Sequence, residues 1–314
     1  MCRISFRPHI TMATIKSFQQ LTEHLSVMKA QPVVAVICPY DEETCGAVER
    51  ALAHGFIKAV LVGEKSRIDA NGLQMKFPSL VSVVEAADNV DAAAKGVALA
   101  REGKADIIMK GLLGTDQLLH AVLNKQTGIL PQGNLLTHIT VSEVPMLNRL
   151  IFYSDVAVIP YPTLEQREKI LMLDLPVLRK FGIERPKVAL IHFTEKVNPK
   201  FPNSTDYQLM IERSKNGAYG NTVLGDPMDV KTAFDSHSAQ VKGISSDVAG
   251  NADLLLFPNI ESGNTFYKTL SFFVNAEMAG ALLGTDVPVV LPSRSDSAAN
   301  KFNSLALAAL ISGR

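Results

Sequence analysis

The chain of 314 residues carries 31 Lys+Arg against 31 Asp+Glu, a formal charge of zero, with 47% hydrophobic and 20% charged residues. Zero balance excludes a protein dedicated to nucleic acid or an anionic membrane surface, since both run strongly basic. The hydrophobic share excludes disorder, and at roughly 150 residues per domain the length predicts two cores.

The three cysteines, Cys2, Cys38 and Cys45, form no C-x-x-C pair, and Met1 to Thr11 holds no apolar run fit for a signal peptide. Sparse, unpaired cysteine fits a reducing cytosol. Met12 is a possible alternative start. No apolar stretch approaches the roughly 20 residues that span a bilayer. The expectation is a soluble, cytoplasmic enzyme acting on small molecules.

Val33 to Cys38 (VVAVIC) predicts a buried strand, followed by a helix through Cys45 to His54. Lys58 to Val62 and Val81 to Val84 predict strands, and alanine-rich Val90 to Glu102 predicts a helix leading into a strand at Asp106 to Lys110. Ile151 to Ile159 reads as a strand pair or a strand crossing between domains, closed by Pro160 and Pro162. Thr163 then caps a long helix with Glu165, Gln166 and Glu168 in its first turn. Lys187 to Phe193 predicts a strand and Lys196 to Asp206, with Pro199 and Pro202, an exposed loop. Strands at Asp253 to Phe257 and Val287 to Leu291 and a helix from Ala298 to Ile311 complete the pattern. Continuous rather than alternating apolar runs predict a parallel sheet covered on both faces, hence an α/β protein. The peptide LLGTD recurs at 112–116 and 282–286, once before a helix and once before a strand, so it marks no repeat.

Chemistry in open α/β sheets gathers outside the carboxyl ends of the strands, where free N–H groups of the following helix favour anions. Three junctions stand out. Ser293-Arg294-Ser295-Asp296-Ser297 offers hydroxyls and a guanidinium for phosphate, with Asp296 or Ser297 as helix cap. Lys110-Gly111-Leu112-Leu113-Gly114-Thr115 ends a strand with two glycines that let a ligand approach, though Thr115 equally suits a cap. In the helix after Asn259, Asn264 and Lys268 share a face with Tyr267 one turn along, an arrangement that suits a ligand or a solvated surface.

Absences also decide. The seven histidines show no metal-ligand spacing, and no G-x-x-x-x-G-K-[ST], G-x-G-x-x-G or G-x-S-x-G follows a strand. His138, in an apolar setting, reads as a core or interface histidine or as a ligand contact; His120 and His192 read the same way. Cys38 ends a buried strand, the ordinary place for a small hydrophobe.

The segments MKGLLGT (109–115), DVAVIPYPTLEQ (155–166), DVAGNADLLLFPNIESGNTFYKTL (247–270) and VPVVLPSRSDSAANKFNS (287–304) together resemble the phosphate acetyl/butyryltransferase family, in family order over most of the chain. The SRSDS and GLLGT turns are more similar to the butyryl than to the acetyl branch. The resemblance implies reversible transfer of a short acyl group, acyl-CoA plus orthophosphate giving acyl phosphate plus CoA. CoA is a substrate, and neither cofactor nor metal is implied. It also implies two α/β domains of the isocitrate/isopropylmalate dehydrogenase-like superfold, with the site in the cleft between them, and a homodimer. The domains would be 1–148 plus 287–314 and 149–286.

On that resemblance Ser293 and Arg294 match the Ser-Arg pair that stabilises the transition state and binds phosphate. The acetyl branch's general-base Asp falls near Asn300 in this chain; Asp296 is the nearest carboxylate, as base or as cap. The candidate catalytic set is therefore Ser293, Arg294 and Asp296, with Lys110, Gly111, Thr115, His138, Asn264, Tyr267, Lys268 and Ser297 as substrate-binding candidates. The competing readings are phosphate acetyl transfer, a metal- and NAD-dependent decarboxylating dehydrogenase of the same superfold, and a non-catalytic CoA or acyl-phosphate sensor. The dehydrogenase needs clustered aspartates that the sequence does not display, and the SRSDS turn argues against the sensor. Acetyl and butyryl differ by two methylenes, each worth about 1–3 kcal/mol in a pocket, so acyl length depends on the pocket lining.

Overall fold

The computed structural model describes residues 13–28, 31–293 and 295–313. Arg294 and the segment from Met1 to Met12, with Cys2 and both possible start methionines, lie outside the described residues. The strands are β1 (Val33–Ile37), β2 (Lys58–Gly63), β3 (Val81–Glu85), β4 (Ile107–Lys110), β5 (Thr137–Val144), β6 (Arg149–Ser154), β7 (Lys187–Leu190), β8 (Val223–Leu224), β9 (Leu254–Leu256), β10 (Glu277–Leu283) and β11 (Val289–Val290). They form one 11-stranded sheet in the order β3-β2-β1-β4-β11-β10-β5-β6-β9-β7-β8.

The helices are α1 (Phe18–Val27), α2 (Glu42–Ala53), α3 (Lys65–Asn71), α4 (Leu73–Lys76), α5 (Asn89–Arg101), α6 (Thr115–Val122), α7 (Leu164–Lys180), α8 (Pro202–Lys215), α9 (Val230–Phe234), α10 (Ser236–Val241), α11 (Ile260–Thr269) and α12 (Ala298–Ser312). The Thr163 capping box is present as its sequence predicts, with Gln166 N–H bonded to the Thr163 hydroxyl. The stretch expected as a loop from Lys196 to Asp206 instead enters α8 at Pro202, because proline suits a first helical turn that lacks N–H partners anyway. The expected strand to Ile159 stops at Ser154. Beyond it the Asp155 carboxylate takes the backbone N–H groups of Ala157 and Val158 at 2.8 and 3.0 Å, and turns the chain.

The expected all-parallel sheet is corrected at its centre. β3, β2, β1, β4 and β11 run parallel, as do β6, β9, β7 and β8, but β10 is antiparallel to both β11 and β5, and β5 to β6. On one face a single apolar core joins α1, α2, α7, α8 and α12 across both parallel blocks. The other face carries two separate cores. One sets Ile37, Val62 and Ile108 against α5 and α6, and the other sets Ala189, Leu255 and Phe257 against α9, α10 and α11.

α12 packs over the first block, and its Lys301, 3% exposed, fixes it there. The Lys301 ammonium donates to Asp41 at 2.7 Å and to the Thr44 hydroxyl at 3.2 Å, while Asp41 caps α2 by accepting Thr44 N–H. Burial raises the Asp41 pKa, but the bonds from Lys301 and Thr44 outweigh it and hold the carboxyl below its ordinary value. A depressed folded pKa contributes stability above the unfolded value of about 3.9, lost as pH falls through the folded value. Lys301→Met should therefore destabilise the chain by about 3 kcal/mol at neutral pH. Urea midpoints should show that gap narrowing below about pH 4; a gap independent of pH would refute the coupling.

Candidate functional site

Where the two cores of the second face part, the sheet is left uncovered over β5 and β10, and a cavity of about 670 Å³ opens there. Its floor is His138 and Thr140 of β5 and Gly280 of β10, on the same side of the sheet as Met278 and Leu282, which enter the flanking cores. α6 forms one wall with Thr115 and Leu119, α11 the other with Asn264, Tyr267 and Lys268. The turn before α12 closes it with Ser293 and Asp296.

Each wall is held by a specific local device. A Cβ on Gly263 would fall 2.4 Å from the Asp155 carbonyl oxygen, so glycine alone lets α11 lie this close to the 155–159 turn. Asn264 next to it donates from Nδ2 to the Val156 carbonyl at 3.0 Å. On the floor, a Cβ on Gly280 would fall 2.6 Å from His138 Cε1, so the imidazole occupies the space that a side chain would need. His138 Nδ1 pairs with the Thr140 hydroxyl at 3.1 Å. In the closing turn, Ser293 N–H donates to Asp296 Oδ2 at 2.8 Å, and the Tyr267 hydroxyl reaches Asp296 Oδ1 at 3.5 Å. Ser297 is the cap of α12, accepting Asn300 N–H at 3.2 Å, which leaves Asp296 facing the cavity.

The electrostatics follow from this enclosure. Burial lowers the His138 pKa below the ordinary imidazole value, against the opposing pull of the Asp155 and Asp296 carboxylates. Burial and the Asp296 charge push the Tyr267 phenol up to about 12, so near neutral pH it keeps its proton and donates to Asp296. The Lys268 ammonium lies 4.6 Å from the Tyr267 ring centroid, which sets a cation on the polar rim beside Asp296. The cavity thus offers a hydroxyl, a carboxylate, a neutral imidazole and a cation around apolar walls.

The structure brings together Ser293, Asp296, Thr115, His138, Asn264, Tyr267 and Lys268 around this space. Lys110, 3% exposed, does not line it, and its ammonium donates to the Gly111 and Leu113 carbonyls among its contacts. Gly111 does not line the cavity either: a Cβ there would sit 2.2 Å from the Cys38 carbonyl oxygen, so its smallness serves the β1–β4 junction. Ser297 faces a neighbouring recess with Lys268 and Asn300. Arg294 lies outside the described residues.

Sequence reasoning passed over Asp155, Thr140, Gly280 and Ser304. Asp155, 3% exposed, also accepts the Thr137 hydroxyl at 3.0 Å, so one carboxylate shapes the cavity's 155–159 rim. The signal for it was an acidic residue directly after an apolar strand, followed by a proline-bounded turn. Gly280 was signalled by a glycine inside an apolar run, a mark of close approach. Asn300, near the expected base, accepts Met278 N–H through Oδ1 at 3.0 Å, and Ser304 accepts Gly280 N–H at 3.0 Å. Among the described residues no group of three or more His, Cys, Asp or Glu is placed to hold a metal ion.

Residues 79–309 match the family model described as phosphate acetyl/butaryl transferase. The chain is 39% identical over 300 residues to the phosphate butyryltransferase of Clostridium acetobutylicum, covering 95% of this chain and 99% of that one. It is 34% identical over 287 residues to the phosphate acetyltransferase of Rhizobium meliloti, covering 91% and 90%. A branched-chain phosphotransacylase from Enterococcus faecalis superposes with a TM-score of 0.80 at 27% identity, covering 90% of this chain and 99% of that structure.

The buried imidazole gives a direct check. Followed by proton NMR and assigned with His138→Gln, the His138 ring should titrate below about 6.5 and be neutral at pH 7. A titration above that value would contradict the enclosure described for the floor.

Proposed function

This chain belongs to the phosphate acetyl/butaryl transferase family, and we propose how its cavity carries out acyl transfer between CoA and orthophosphate. The observation that carries the proposal is the convergence of Ser293 and Asp296, from the turn before α12, on His138, Asn264, Tyr267 and Lys268 around one apolar-walled space. In the direction of CoA acylation, the thiol sulfur attacks the acyl phosphate carbonyl carbon and the carbon–oxygen bond to phosphate breaks. The thiol proton passes to Asp296, and orthophosphate leaves. Ser293 donates its hydroxyl proton in a hydrogen bond to the carbonyl oxygen as negative charge gathers there. The Tyr267 hydroxyl and Ser293 N–H orient the Asp296 carboxylate. His138, neutral by burial, is a second polar contact for the thioester.

Phosphate takes Arg294, by the resemblance of the Ser-Arg pair, together with the rim cation Lys268 and the N–H groups of the 15-residue α12. Lys110, buried against the adjoining turn, adds positive charge. No covalent acyl-enzyme is required, because holding two substrates in line supplies much of the rate. CoA enters as a substrate, and we assign no cofactor and no metal.

Butyryl is our preferred acyl group. Leu119, Leu123, Leu135, Val158 and Ile159 give the cavity apolar lining for the extra methylenes, and the Clostridium acetobutylicum relative carries the butyryl name. We keep the two-domain reading, 1–148 plus 287–314 and 149–286, in the isocitrate/isopropylmalate dehydrogenase-like superfold; the two separate cores on the cavity face support a division there, while the core of the opposite face is shared. We further infer a homodimer, supported by the 81% and 79% exposure of adjacent Phe272 and Phe273, and a cytoplasmic location. No helix among the described residues is long and apolar enough to cross a membrane.

The test is thiol release from acyl-CoA with phosphate as acceptor. Ser293→Ala and Asp296→Asn should each lower kcat by about 100-fold or more, and Arg294→Ala should raise the phosphate KM as well as lower kcat. The wild-type rate should persist in EDTA, and butyryl-CoA should exceed acetyl-CoA in kcat/KM by about tenfold or more. Unimpaired kinetics in both Ser293→Ala and Asp296→Asn would refute the assigned roles, and loss of activity in EDTA would refute the metal-free reaction.

A further inference from the structure

A second cavity, of about 760 Å³, lies on the opposite side of α11, among the ends of β7 and β9. These two strands are parallel neighbours whose following helices leave to opposite faces of the sheet. α8, after β7, packs with Tyr207 and Met210 into the core shared with α7, and α11, after β9, packs with Phe266 into the core shared with α9 and α10. Such a divergence is the topological switch point of an open α/β sheet, the place where its ligands bind. The acyl-transfer residues do not use it.

Its lining is chemically distinct from that of the first cavity. His192, Phe193 and Phe201 form an aromatic group with ring centroids 4.6, 5.6 and 4.9 Å apart, and Phe193, which lines the cavity, is nevertheless 67% exposed. Asn203, Asn259 and Thr265 add amide and hydroxyl groups, while Asp229 and Glu261 are the charged residues of the lining and no Lys or Arg belongs to it. Asp229 is ion-paired with Lys242 and Glu261 accepts the Tyr161 hydroxyl, so among the described residues the lining presents no free Lys or Arg to a phosphate or carboxylate ligand. Aromatic faces flanked by amides accept a flat, uncharged heterocycle that stacks and pairs its polar edge.

We infer that the crevice between β7 and β9 binds a nucleobase ring of the adenine type, with any phosphates held outside it. Two sources share this chemistry: a free nucleoside, or the adenosine end of CoA reaching past the first turn of α11. The second rests on the acyl-transfer reading above, whereas the crevice itself does not.

The probe is adenosine, titrated calorimetrically into the full chain. Saturable binding is expected, weakened by about fivefold or more in Phe193→Ala, as loss of base stacking requires. Phe193 is largely exposed, so this variant should keep the wild-type circular dichroism and urea midpoint. If CoA is the source, adenosine competes with CoA, and Phe193→Ala raises the KM for CoA but not for pantetheine. If a free nucleoside is the source, adenosine binds equally well to CoA-saturated protein. Either pattern supports the site. Absence of saturable binding at millimolar adenosine, or binding unchanged in Phe193→Ala, overturns it. Because the readout is binding rather than turnover, failure of the Ser293 and Asp296 assignments would leave this result standing.

Discussion

The structure turns on how β10 satisfies its own backbone. β10 pairs with β5 along its whole length, but with β11 only at Leu282. The N–H groups of Met278 and Gly280 therefore point toward α12 with no strand to receive them, and a buried amide without a partner is costly. Asn300 and Ser304 of α12 accept them, and this seats the start of that helix against the cavity floor. Once α12 is seated, the Ser293–Ser297 turn that precedes it must open onto His138 and Gly280.

The same logic explains which parts of the molecule the sequence disclosed. Runs such as Val33–Ile37 and Lys187–Leu190 lie in parallel blocks buried on both faces, so their apolar composition alone marks them. β5 and β10 escape that signal. Thr137, Thr140 and Ser142 are buried polar residues that meet the Asp155 carboxylate, the cavity and the Tyr153 hydroxyl, and the Met-Ala-Gly-Ala core of β10 has little intrinsic strand preference. Their strand state comes from pairing with each other, a tertiary fact. The antiparallel centre was invisible for that reason, and so was the uncovered floor that creates the site.

The site residues divide along a similar line. Ser293, Asp296, Asn264, Tyr267 and Lys268 lie in turns and helix faces whose apolar pattern does not call for them, and the cavity collects all five. Lys110 and Gly111 belonged to the same motif pattern, yet they do not line the cavity, because a glycine chosen for contact with the Cys38 carbonyl looks in sequence like one chosen for a ligand. Asp155 was hidden for the opposite reason. Its carboxylate is consumed by backbone N–H groups and the Thr137 hydroxyl, so its work is to hold the 155–159 rim rather than to meet substrate. Formal neutrality of the chain is consistent with this economy, since a few locally placed cations suffice for small anions.

α11 is the element on which both cavities depend. Asn264, Tyr267 and Lys268 face one side, and Glu261, Ser262, Thr265 and Thr269 face the other, as helical spacing requires. Its first turn is tied to the rim of the acyl-transfer cavity at three points: Ile260 N–H to the Pro160 carbonyl at 2.9 Å, Glu261 to the Tyr161 hydroxyl, and Gly263 against the Asp155 carbonyl. A helix with its side chains is about 10 Å across, so the two spaces are separated by a single element. That element cannot shift toward one cavity without moving the 155–161 segment that borders the other. Gly263 makes the constraint stiff, because contact between a helix backbone and a carbonyl leaves no flexible side chain to absorb displacement.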